Sequence, residues 1–248
     1  MSDPIQSLWW GSLSVMERLC AASYVANGHR FHLYTYREGI VGGCPDGMEI
    51  KDGNDIVPEA DISEFKHLAH FADWFRYNLL LKRGGWWVDM DTVCLQPFDG
   101  WGHPFVSWRG ADHVISEQHD RAGGFAVNNA YLRASPGSPV MAWIVRQAMK
   151  VDRKSMGWEA TANTLCLQAV AKFRLPVQPL VFFNPIPWWE WASVIDYPLS
   201  PPMPETTYAV HLWHAMWRQA GRDTNAKYQP ECLYEQLKRR YAAAMGGS

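Results

Sequence analysis

The sequence predicts an α/β fold: a mixed central sheet flanked by helices, in one domain spanning residues 1–248. Three observations carry that expectation. Short β-branched and aromatic runs alternate with helical periodicities through the first half, the order turns mixed in the second half, and no internal repeat divides the chain. With 248 residues, 48% hydrophobic and 19% charged, the chain is long enough for one substantial core.

Ile5 to Trp10 reads as a first strand, ended by Gly11. A helix follows from about Ser14 to Ala26 and stops at Asn27-Gly28. Phe31 to Tyr36 is a second strand, and Gly39 to Asp55, with GGCPDG inside, is a loop with room for one short strand. Ser63 to Arg83 is the strongest helix, because Leu68, Phe71, Ala72, Phe75 and Leu79 form a 3.6-period stripe. Strands are expected near Trp86–Val88, Val93–Gln96, Phe105–Trp108 and Gly123–Asn128. Pro139 opens a helix over Val140–Val151, and another covers Trp158–Phe173 with Glu159 in its first turn. Pro176–Pro204, rich in Pro and Trp, reads as irregular surface structure. Tyr208–Trp213 is a late strand, and Pro230 at the first helical position opens a last helix to about Met245.

A formal net charge of -2 lacks the basic excess of nucleic-acid binders. Five scattered cysteines without a CxxC pair suit a reduced compartment and neither a disulfide framework nor a zinc site. The N-terminus has no signal-peptide pattern and no stretch approaches ~20 apolar residues, so a cytoplasmic protein is expected. Fourteen tryptophans stand out. Indole packs well on the C–H face of a sugar, although most buried Trp simply builds core.

The chemistry concentrates in HFADWFRYNLLLKRGGWWVDMDTVCLQPF, residues 70–98. Asp73 and Arg76 are i and i+3 on the long helix and therefore neighbours. Read on a continuing strand, Asp89 and Asp91 at i and i+2 share a face and can meet one cation. Two carboxylates clustered beside an apolar strand are costly to bury unless positive charge sits with them.

This stretch resembles the sugar-binding DXD region of a glycosyltransferase superfamily. Its members include α-1,4-galactosyl- and α-1,4-N-acetylglucosaminyltransferases, yeast initiating α-1,6-mannosyltransferases, capsular polysaccharide enzymes and, more distantly, the clostridial glucosylating toxins. The family's Asp, Arg and GGxYxDxD stand here as Asp73, Arg76, Gly84-Gly85 and Asp89-Met90-Asp91, with Trp87 in place of the usual Tyr. Three more stretches are similar, in the family's order. They are Ile5–Gly11 with Gln6 where His is usual, Val127–Leu132 followed by Ser135–Pro139, and Tyr208–Trp213.

The resemblance implies a GT-A type, Rossmann-like fold with a nucleotide-sugar-binding part over about 1–100. The acceptor side and a closing C-terminal segment would cover about 101–248. It implies a retaining hexosyl transfer from a nucleotide-diphosphate sugar, a UDP-sugar first and GDP-mannose second. Asp89, Asp91 and His211 would hold Mn²⁺, or Mg²⁺, on the diphosphate, with His211 preferred to His214. Trp9 would stack on the base, and Asp73, Arg76, Trp87 and Asn129 would contact the donor. Asp89 and Asp91 are then the catalytic pair, and no nucleophile or general base is assigned. Asn129 could instead cap a helix.

The acceptor is left open among a glycan, a lipid-linked glycan and a protein. Lys238-Arg239-Arg240 beside Leu237 and Tyr241 could rest on an anionic membrane face, or form an ordinary solvated helix surface. Two other readings compete. Trp86–Val93 fits the nucleophile strand of haloacid-dehalogenase-like phosphatases with Asp89 as nucleophile, and the Trp content fits a non-catalytic carbohydrate-binding protein.

Overall fold

The computed structural model describes residues 3–36, 43–98, 113–119, 121–155, 157, 161–196 and 203–246. A six-stranded mixed sheet runs in the order β3-β2-β1-β4-β7-β6. Its strands are β1 (Ile5–Leu8), β2 (Phe31–Thr35), β3 (Met48–Asp52), β4 (Gly85–Val88), β6 (His113–His119) and β7 (Phe125–Ala134). The first four are parallel, whereas β7 pairs antiparallel with β4 and with β6. A second, two-stranded antiparallel sheet joins β5 (Thr92–Cys94) to β8 (Ala209–His211). The expected α/β class with a mixed sheet and flanking helices is what forms.

Successive residues of a strand face opposite sides, and β4 shows the consequence. Trp86 packs with Ile5, Phe31, Leu33, Tyr131 and α1 (Val15–Ala26), while Trp87 packs with the α2 (Leu68–Arg83) stripe of Phe71, Phe75 and Leu79. Ser14 and Glu17 close a capping box at the start of α1, as serine before an apolar run allows. The helices α3 (Pro139–Ala148) and α4 (Asn163–Phe173) add to the α2 side, and α5 (Leu180–Phe183) to the other. A third cluster binds β5 and β8 to α6 (His214–Gln219) and α7 (Leu233–Tyr241) through Val93, Val210, Leu212, Trp217 and Leu237.

Several boundaries differ from expectation for local reasons. Residues 59–64 form a 3-10 turn, so α2 starts at Leu68, which is exposed instead of heading the buried stripe. The irregular 176–204 region contains α5 and a 3-10 segment, Trp188–Val194. The Gly123–Asn128 strand extends to Ala134, which places Asn129 within β7 and removes its helix-capping alternative. The last helix starts after Pro230, at Leu233, and ends at Tyr241, and Glu235 in its first turn accepts from the Tyr228 N–H upstream. The Phe105–Trp108 strand and the Trp158–Glu159 helix start lie outside the described residues.

Among the described residues no helix is long and apolar enough to cross a membrane. Leu237 and Tyr241 are buried in the third cluster, so α7 offers a membrane surface no apolar face. Lys238 is bonded to Glu235, and Arg240 to the Leu95 carbonyl.

The double glycine that joins α2 to β4 is needed by geometry. Gly84 has φ 64° and ψ -160°, a glycine region, and a Cβ there would lie 2.4 Å from Pro136 Cδ. Gly84→Ala is therefore expected to destabilise the fold by at least ~2 kcal/mol in urea unfolding. Gly11→Ala, also at positive φ but with nothing within 4 Å, should cost only about 1 kcal/mol.

Candidate active site

The two carboxylates do not continue a strand. After Val88 the chain leaves the main sheet, turns through Asp89-Met90-Asp91 and enters the small sheet at Thr92. Both the N–H and the Oγ1 of Thr92 bond to the Asp89 carbonyl, at 3.2 and 2.8 Å, which tightens the turn. Tyr24 Oη braces Thr92 Oγ1 from α1 at 3.0 Å. The shared-face expectation is thus replaced by a turn that puts the pair at the junction of two sheets.

That junction explains the third group. Thr92 sits opposite His211 in the small sheet, so the register itself carries His211 to the turn. His211 Nε2 lies 3.2 Å from Asp91 Oδ1, and the His214 backbone N–H donates to Asp91 Oδ2 at 2.8 Å. Burial disfavours the Asp91 charge, but the His211 imidazole and these hydrogen bonds outweigh it and hold the carboxyl well below the usual carboxylate range. One ligand atom from each of Asp89, Asp91 and His211 falls within 4.8 Å of the others.

The His214 side chain turns elsewhere: its Nδ1 is 3.5 Å from Glu17 Oε1 and its ring stacks loosely on Trp9. The expected strand to Trp213 stops at His211, because Trp213 adopts a left-handed φ of 61°. This bend lays the Trp213 ring on His211 with centroids 3.8 Å apart. His211 Nδ1 is buried without a hydrogen-bond partner among the described residues.

A buried charge network stands behind the turn. Arg76 Nη2 lies 3.3 Å from Asp73 Oδ1, and Arg76 Nη1 lies 3.0 Å from Asp89 Oδ1 and donates to the Asn129 carbonyl at 2.7 Å. Asp73 also accepts from Asn129 Nδ2 at 2.9 Å and Thr161 Oγ1 at 3.1 Å. Burial pushes the Asp73 carboxyl up, and Arg76 and these donors only partly offset it. For Arg76, burial opposes the charge while Asp89 and Asp73 more than restore it. Trp87 is buried, places its ring under the guanidinium at 4.8 Å, and donates its indole N–H to Asp89 Oδ1 at 2.7 Å. Trp87 thus supplies a hydrogen bond of its own where a tyrosine hydroxyl is usual.

Two cavities share the wall formed by Ala69, Arg76, Asp89 and Asp91. The smaller, about 330 Å³, is lined by Trp9, Trp10, Trp87, His214 and Arg218. The larger, about 420 Å³, is lined by Asp73, Asn129, Trp188, His211 and Trp213. Both volumes suit small-molecule sites. Every residue singled out in the sequence therefore reaches this junction, Trp87 largely by supporting Asp89 and Arg76. Thr161, Trp188 and Arg218 were not anticipated, since they come from irregular segments or from a short helix without a motif. No lysine lines either cavity among the described residues.

Residues 41–107 match the family model described as a glycosyltransferase sugar-binding region containing a DXD motif. The similarity to glycosyltransferase sugar-binding regions holds over that segment, about a quarter of the chain. Trp9, Asn129 and His211 lie outside the matched residues. A 37-residue stretch is 51% identical to the initiation-specific α-1,6-mannosyltransferase of Saccharomyces cerevisiae, covering 15% of this chain and 8% of that protein. The apo-form glycosyltransferase GlyE of Streptococcus pneumoniae is similar in structure over 99% of this chain and 64% of its own, at 9% identity and a TM-score of 0.50. PaToxG glycosyltransferase is similar over 99% of this chain and 86% of its own, at 12% identity and a TM-score of 0.47. The fold is that of GT-A glycosyltransferases.

Arg76 neutralises two carboxylates at once, and Arg76→Met should destabilise the protein by about 3–5 kcal/mol, the range for breaking a buried ion pair. Adding Asp73→Asn should recover part of that loss. Equilibrium unfolding of the two single variants and the double variant tests the coupling.

Proposed function

We infer that this chain is a metal-dependent retaining glycosyltransferase that moves a hexose from a nucleotide-diphosphate sugar to a hydroxyl acceptor. The observation that carries this reading is the convergence of Asp89, Asp91 and His211 at the wall between the two cavities, beside the buried Asp73–Arg76 pair. Two carboxylates and an imidazole suit Mn²⁺, with Mg²⁺ second because of the imidazole. The donor set fits such an ion: the Arg76 and Trp87 contacts of Asp89 both go to Oδ1, which leaves Oδ2 for a cation. When bound, the metal would neutralise charge developing on the departing diphosphate.

The chain's own residues supply the rest. Trp9 offers a face to the base in the smaller cavity, and a flat uracil makes a UDP-sugar the first choice and GDP-mannose the second. Arg218 lines the same cavity and adds positive charge near the phosphates. Asp73 and Asn129 present hydrogen-bonding groups to the hydroxyls of the transferred sugar, held in place by Arg76 and Thr161. The acceptor classes are a glycan, a lipid-linked glycan or a protein, with the enzyme acting in the cytoplasm.

A panel of nucleotide sugars with Mn²⁺, scored by release of the nucleoside diphosphate, tests this reading. Asp89→Ala and Asp91→Ala should each lower turnover roughly 100-fold or more, the scale of losing a group that stabilises leaving-group charge. The circular dichroism spectrum should stay unchanged. Titration of Mn²⁺ by electron paramagnetic resonance in the presence of UDP should show weaker binding in both variants and in His211→Ala. Near-wild-type turnover in either Asp variant at saturating Mn²⁺ contradicts the mechanism.

A further inference from the structure

Trp188 stands in a 3-10 segment that holds three indoles with three different surroundings. Trp191 packs against the third core cluster and meets Trp217 at 6.2 Å. Trp189 meets Trp188 edge-on at 5.7 Å. Trp188 itself is half-buried and lines the larger cavity. The 3-10 segment packs against α6, and Trp188, Met216 and Gln219 all line this cavity.

The charges of that cavity are segregated. Among the described residues, its charged side chains are Asp73, Arg76, Asp89 and Asp91, all within the network and turn already described. Apart from His211, the remaining polar lining is made mainly of neutral amides. Asn128 and Gln118 satisfy each other, with Asn128 Nδ2 donating to Gln118 Oε1. Asn163 and Gln219 take no side-chain hydrogen bond among the described residues, so their donors and acceptors are available to a ligand.

An accessible indole that shares its cavity with two amides taking no side-chain hydrogen bond among the described residues matches one ligand chemistry well. A pyranose presents an apolar C–H face to the ring and neutral hydroxyls at its rim. We propose that Trp188, with Asn163 and Gln219, forms the acceptor subsite and takes the pyranose ring of a neutral glycan or glycoside. The assignment rests on the transferase reading for the word acceptor, but the carbohydrate site itself does not.

Saturation-transfer NMR on the full chain, with UDP and Mn²⁺ present, tests the subsite using methyl α- and β-glucopyranoside, galactopyranoside and mannopyranoside. At least one glycoside should receive saturation at its ring C–H protons. Its binding should weaken about tenfold in Trp188→Ala, the scale of losing one aromatic face, and stay near wild type in Trp188→Phe. If no glycoside binds, if binding ignores Trp188→Ala, or if a Ser/Thr peptide binds in place of every glycoside, the proposal is overturned. Failure of the functional reading looks different: no nucleotide sugar is turned over, yet glycosides still bind through Trp188. That result keeps the carbohydrate site and removes the transferase.

Discussion

The buried guanidinium of Arg76 is the constraint on which the rest of the site depends. A cation taken out of water is tolerated only where its charge and donors are met, and Arg76 meets Asp73, Asp89 and the Asn129 carbonyl together. Those partners belong to α2, the turn after β4, and β7. One side chain therefore sets how a helix, a turn and a strand sit relative to one another. A lysine could not do the same, since its compact ammonium lacks the planar fork that reaches several acceptors at fixed angles. Trp87 completes the arrangement by stacking under the guanidinium and donating to Asp89 Oδ1.

The second constraint is the change of sheet at Asp89–Asp91. Had β4 simply continued, both carboxylates would have projected from the same face of the main sheet as Trp87, the side packed by α2. By leaving it, the chain pairs Thr92–Cys94 with Ala209–His211 and draws the C-terminal region onto the turn. Trp213 then bends sharply into α6, whose residues line both cavities. His211 is held by stacking on Trp213 and by the edge of Tyr131, where a metal-ligating histidine more often uses a hydrogen bond from its second nitrogen. A non-glycine residue at positive φ beside the candidate metal ligand is the kind of local strain that the surrounding structure must hold in place.

Division of labour among the tryptophans follows from these two constraints. Trp86 and Trp217 build core, while Trp87 supports charge, Trp213 orients an imidazole, and Trp9 and Trp188 line separate cavities. The composition signal was therefore mixed in meaning. Adjacent indoles such as Trp86 and Trp87 have different roles because a strand sends them to opposite faces.

The sequence by itself determined the α/β class, the α2 stripe of Phe71, Phe75 and Leu79, and the grouping of Asp73, Arg76, Asp89 and Asp91, because periodicity and short spacings are local properties. It also singled out Trp9, Asn129 and His211 through motif resemblance, although nothing local says that residues so far apart meet. Only the tertiary structure decided that Asp89 and Asp91 occupy a turn and not a strand, because that depends on which partner β5 finds. Only it turned His211 rather than His214 toward Asp91, through the register of Thr92 against His211 and the bend at Trp213. Trp188, Thr161 and Arg218 carry no readable pattern. Their roles exist only once distant segments close around the two cavities and the Asp73 carboxylate.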